Sequence, residues 1–168
     1  AAFVPSYSSE LNKSKKGAEL FANNIFNILF LSLLVIVFII EIFMPLFVVL
    51  IAPGFKENSE KLEIAITLTR ITFPFLLFVS ISSFFSAILN SHNKFAVASA
   101  TPIILNIFLI MVLLFGKFLS DKLVYYISYA VTFAGLIQLI FLIFFVRKYF
   151  TPKISFKFEI NKKVKLFF

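Results

Sequence analysis

The chain has 168 residues, 61% of them hydrophobic, with a mean hydropathy of +1.02, a net charge of +8 and no cysteine. Soluble domains are nearer half apolar and have no surface to give to so much Phe, Ile and Leu, so the composition calls for an all-α, polytopic transmembrane bundle. The missing cysteines exclude disulfides and thiolate metal sites, and the basic residues lie in separate loops rather than on one face, which points away from nucleic acid and toward membrane orientation and anionic lipid headgroups. The excess of Phe (26 residues), Ile, Lys and Asn is ascribed to AT-rich coding and given no functional weight.

Residues 1–20 form a polar leading segment with Lys13, Lys15 and Lys16. The chain opens on Ala1 with no signal-peptide pattern and closes on Lys-Lys-Val-Lys-Leu-Phe-Phe, so a piece of a longer protein is expected. Four apolar segments follow, at about 21–51, 62–89, 95–115 and 124–146, each reaching the ~20 residues that cross ~30 Å of hydrocarbon. The first is some ~15 Å too long to cross untilted, so it tilts or breaks near Glu41 and Pro45. Ala52-Pro53-Gly54-Phe55 and Asn90-Ser91-His92-Asn93-Lys94 read as turns, and Gly116 to Lys122 as the third connection; loops this short make the segments antiparallel neighbours. The leading segment, the 90–94 turn and the basic tail 147–168 share one side and carry eleven Lys and Arg against four on the other. The positive-inside rule places those three stretches in the cytoplasm.

The spans carry polar groups that a plain anchor would not need. Charged residues at membrane depth cost at least ~2.5–3.5 kcal/mol on insertion scales and therefore face a partner or a wet cavity. Glu41 lies about 16 Å below the outer end of the first span and Arg70 about 12 Å below that of the second, so the two match in depth and are candidates for an ion pair; snorkelling of one or both is the alternative. Ser80, Ser83, Ser86 and Ala87 make a small-residue stripe read as helix packing. Asn106 and Gln138 sit mid-span and would either bond between helices or line a polar cavity. Pro45, Pro74 and Pro102 predict kinks, a pattern that suits a transporter better than a rigid anchor. His92, the lone histidine, is read as a solvated turn residue. No catalytic constellation, metal cluster or phosphate loop is present in the pattern, and no cofactor is expected.

Five stretches in order, "AAFVPSYSSEL", "LIAPGF", "LTRITFPFLLF", "ILNSHNKFAVASATPIILNI" and "GLIQLIF", resemble the MurJ (MviN) family, the lipid II flippases of bacterial peptidoglycan synthesis and a branch of the multidrug/oligosaccharidyl-lipid/polysaccharide exporter superfamily. The resemblance spans most of residues 2–140. It implies a multi-pass inner-membrane transporter, not an enzyme, with two six-helix lobes around a cavity. Residues 1–20 would then be the end of the second helix and a cytoplasmic loop, 21–146 the third to sixth helices, and 147–168 the lead into the next. The implied activity is movement of undecaprenyl-pyrophosphate-linked disaccharide-pentapeptide across the cytoplasmic membrane by alternating access, driven by a coupling ion or the membrane potential. The implied partners are that lipid-linked precursor, membrane lipids and the remaining helices of the same chain. An exporter of another polyprenyl-linked glycan, or a non-transporting scaffold subunit, is the alternative. The family's best-known cavity arginines fall outside this sequence, so Arg70, Asn106 and Gln138 are the substrate or cavity candidates, with Arg70 favoured as the structural partner of Glu41.

Overall fold

A computed structural model describes residues 3–116 and 122–155. The centre of the third connection and the tail beyond Ser155, with Lys117, Lys157, Lys162, Lys163 and Lys165, lie outside the described residues. Among the described residues seven α-helices follow one another: α1 (Phe3–Lys13), α2 (Lys15–Ile42), α3 (Met44–Ile51), α4 (Ser59–Thr72), α5 (Phe75–Ser91), α6 (Phe95–Phe115) and α7 (Leu123–Val146), with a short 3-10 turn at Pro53–Glu57. Among the described residues, four stretches are long and apolar enough to cross a membrane: Lys15–Ile42, Ser59–Ser91, Phe95–Phe115 and Leu123–Val146.

Two of these helices start earlier than the apolar runs do. Ser14 Oγ accepts from Gly17 N at 3.0 Å, and Asn58 Oδ1 accepts from Lys61 N at 3.0 Å, so each side chain satisfies an orphan donor of a first turn. Residues 15–20, expected in a loop, are therefore the opening turns of α2. The long first segment breaks rather than only tilting: Phe43 separates α2 from α3, and Pro45 sits in the first turn of α3. The second segment breaks at Phe73–Pro74, between α4 and α5. Pro102 lies inside an uninterrupted α6.

The α5–α6 reversal is closed by its own backbone. Lys94 N donates to Leu89 O at 2.9 Å and Asn93 N to Asn90 O at 3.0 Å, with Asn93 in the left-handed region at φ 60°. These are the paired bonds of a Schellman cap, with asparagine at the left-handed position that glycine more often fills.

α5 is the hub, packing on α1, α2, α6 and α7. The buried core gathers where α1 meets α2, α5 and the end of α7, around Tyr7, Phe21, Ile25, Phe26, Phe85, Ile88, Leu89, Leu142 and Val146. Phenylalanine builds it. The Phe26 ring lies 5.7 Å from Phe30, 5.9 Å from both Phe84 and Phe85, and 6.4 Å from Phe150. Offset and edge-on aromatic pairs at such spacings add packing energy beyond area burial. The phenylalanine excess therefore has a structural role that coding bias does not describe. The opposite ends of the helices stay open: Leu34 to Ile51 and Ile103 to Phe115 include many exposed large apolar side chains, and α6 buries none of its residues.

Candidate functional site

Proline organises the polar chemistry of the spans. A proline at position i gives no N–H to the carbonyl at i−4, and in an apolar surrounding that carbonyl needs another donor. Pro45 releases the carbonyl of Glu41, and Arg70 Nη2 donates to that oxygen at 3.4 Å. Pro102 releases the carbonyl of Ala98, and Thr101 Oγ1 donates to it at 2.8 Å. At the Pro74 break, Thr132 of α7 donates from Oγ1 to Ile71 O at 2.6 Å, one turn before the start of α5. Thr72 Oγ1 covers Leu68 O and Thr69 O at 3.0 and 3.2 Å.

Arg70 and Glu41 are brought together by the antiparallel pairing of α3 with α4. Arg70 Nε lies 3.6 Å from Glu41 Oε2, beside the carbonyl bond just described. One guanidinium thus meets both the side chain and the backbone of the same residue. Glu41 Oε1 is buried and has no hydrogen-bond partner, while half of the Arg70 side chain is exposed.

The second feature is an open cleft of about 450 Å³ between α5, α6 and α7, with Val4 of α1 at its edge. Its polar lining is neutral: Ser82, Ser83, Ser86, Asn90, Thr101 and Gln138. Gln138 is 4% exposed, and its Nε2 donates to Thr101 O at 2.9 Å, tying α7 to α6. Ser82 is equally buried, yet its Oγ has no partner; Asn90 Oδ1 is also unsatisfied. Of the small-residue stripe, Ser83, Ser86 and Ala87 line this cleft, and Ala87 also packs against the buried core. Asn106 is placed differently from Gln138. It continues the Pro102 face of α6 by one turn, remains exposed, and is absent from the cleft lining.

Two polar anchors escaped the sequence reading. Asn23 and Asn27, one turn apart on α2, hold the segment after α7. Lys153 N donates to Asn23 Oδ1 at 2.7 Å, Ser155 N to Asn27 Oδ1 at 3.1 Å, and Asn27 Nδ2 to Lys153 O at 3.1 Å. The i, i+4 spacing is the only signal, and the partner lies too far along the chain to be inferred from it. His92 is not a solvated loop residue. Its ring stacks on Tyr149 at 4.4 Å, and its Nε2 lies 3.2 Å from Tyr7 Oη. Burial, and secondarily the charge of Lys15, hold its pKa below the ordinary histidine value.

The family model described as Lipid II flippase MurJ matches residues 1–168. A probable lipid II flippase MurJ of Rickettsia prowazekii (strain Madrid E) is 40% identical over 147 residues, covering 87% of this chain and 29% of the relative. One from Rhizobium tropici is 37% identical over 144 residues, covering 83% and 27%. A lipid II flippase MurJ of Burkholderia cenocepacia is 30% identical over 88 residues, covering 52% and 17%. The chain spans less than a third of the length of these curated relatives.

Proposed function

The chain belongs to the lipid II flippase MurJ family, and from that premise we propose that the full-length protein moves lipid II, the undecaprenyl-pyrophosphate-linked peptidoglycan precursor, across the cytoplasmic membrane by alternating access. The match over residues 1–168 carries this reading. In it, residues 1–20, 90–94 and 147–168 face the cytoplasm, where positive charge concentrates. These helices form one wall of a larger transporter, and the pyrophosphate meets donors elsewhere in the molecule. A pyrophosphate calls for charge-assisted donors, preferably arginine. The cleft beside Ser82 offers only neutral groups, and Arg70 is engaged by Glu41. Arg70 is accordingly assigned a structural role, holding α4 to the α2–α3 break.

The breaks at Phe43 and at Phe73–Pro74 supply the motion. Two halves of each span can rotate against one another there, because the Glu41 and Ile71 carbonyls are met by the side chains of Arg70 and Thr132 rather than by the helix ladder. The test is complementation of a flippase-depleted bacterium with the full-length gene, scored by survival and by lipid II reaching the outer leaflet. Rescue is the expected result. A well-expressed protein that leaves lipid II inside would overturn the assignment.

A further inference from the structure

A second cleft, of about 300 Å³, opens at the basic end of the bundle. Leu89, Val97, Phe145 and Tyr149 form its body, and Lys94 and Lys148 contribute the charged groups. The two lysines come from different elements. The Schellman cap of α5 fixes the backbone of Lys94, and Lys148 comes directly after Arg147, the C-cap of α7. No carboxylate lines the cleft, and neither lysine forms an ion pair among the described residues. Two ammonium groups facing one cavity repel each other, an arrangement that an anion between them would stabilise.

The level of the cleft along the bundle narrows the choice of anion. The apolar stretches of α6 and α7 start at Phe95 and end at Val146, so Lys94 and Lys148 lie where hydrocarbon gives way to headgroups. Phe95 is 57% exposed and Phe144 58%, presenting apolar surface beside the lysines. Arg147, next to Lys148 in the chain, lies over the Phe144 ring, 4.4 Å from its centroid, and adds a third cation at this end of α7. An ammonium acts on phosphate as a point charge and accepts varied headgroup geometries.

We propose that the cleft formed by Leu89, Lys94, Val97, Phe145, Lys148 and Tyr149 binds the phosphate headgroup of an anionic phospholipid, whose acyl chains run along the exposed face of α6 and α7. This goes beyond the transport reading and holds whatever the cargo is. The headgroup sits between the two lysines and pins the α5–α6 turn to the end of α7, so bound lipid stabilises the packing of these three helices.

The full-length protein is reconstituted in vesicles of equal phosphatidylglycerol and phosphatidylcholine, with a trace of photoactivatable phosphatidylglycerol labelled near its headgroup. After cross-linking, labelled peptides are mapped. Label is expected in peptides covering residues 89–97 and 145–149. Lys94→Gln with Lys148→Gln should lower it about tenfold, since each lysine near an anionic surface contributes appreciably. Lys94→Arg with Lys148→Arg should retain it, which separates loss of charge from loss of folding. Lys56→Gln with Lys61→Gln, at the other end, should leave it unchanged. Equal labelling by a phosphatidylcholine probe, or undiminished labelling of the double glutamine variant, would overturn the proposal. So would full competition by millimolar inorganic phosphate, which would make this a site for a soluble anion.

Discussion

Arg70 shows why a full charge can persist inside an apolar helix. Its guanidinium reaches both the carboxylate of Glu41 and the carbonyl that Pro45 leaves without an N–H. Depth matching along two antiparallel spans pairs the two side chains; the backbone bond is not legible in the sequence, because it depends on where the helix breaks. In the proposed structural role, Arg70→Met should destabilise the full-length protein by ~1–2 kcal/mol, a range kept low because the arginine is half exposed. Thermal unfolding in detergent checks this, and adding Glu41→Gln should restore part of the loss. An unchanged midpoint would return Arg70 to the list of cavity residues. His92 allows a pH test. Its pKa is depressed when folded, so the unfolded chain takes up a proton more readily near ~6.5. The stabilisation from neutral His92, packed among Tyr7, Lys15 and Tyr149, is therefore present above that value and fades as pH falls toward the folded pKa. Protection factors of amides around residues 88–97, taken relative to the intrinsic exchange rate at each pH, should fall from pH 7.5 to 5.5, and His92→Phe, which keeps a ring for Tyr149, should remove that fall.

At the scale of the elements, hydropathy located the spans and the prolines located the interruptions. Pattern alone did not tell a break from an embedded proline. Pro74 and Pro102 look alike in sequence, yet α4 and α5 separate at the first while α6 runs through the second. The donors differ in origin as well. Thr101 serves its own helix, whereas the break before α5 takes its hydroxyl from Thr132, across on α7. Thr132→Val should cost ~0.5–1.5 kcal/mol and leave the fold intact, and unfolding midpoints would read that loss. Pro74→Ala restores an N–H to the carbonyl of Arg70 and should leave stability equal or higher while lowering lipid II translocation several-fold. Undiminished transport would remove the break from the mechanism. Gly135 lies where α7 packs tightly against α5. A Cβ there would run into the Phe75 ring and meet Phe78 Cβ at 3.4 Å, so Gly135→Leu should force the helices apart.

For the molecule as a whole, hydrophobic periodicity identifies apolar segments but not the rotation of each helix about its axis. That is why Asn106 and Gln138, equivalent in sequence, part company: one is exposed, the other 4% exposed and bonded to α6. The strap from Asn23 and Asn27 to Lys153 and Ser155 was invisible for a related reason, since it joins the first long helix to the segment after the last. Charge, by contrast, is a property of whole loops and survives ignorance of rotation, so orientation is the global inference that rests most directly on sequence. It predicts opposite accessibility for two exposed lysines: Lys13 at the end of α1 and Lys56 in the turn before α4. The chain has no cysteine of its own, so Lys13→Cys and Lys56→Cys can be placed singly in the full-length protein once any other accessible thiols are removed. In intact spheroplasts a membrane-impermeant maleimide should label the cysteine at 56 and spare that at 13, which should react only after permeabilisation. The reverse pattern would invert the topology, and would place the two-lysine cleft beside Leu89 on the outer leaflet. It would leave the Arg70–Glu41 contact untouched, because that pair depends on depth within the bilayer rather than on which face is cytoplasmic.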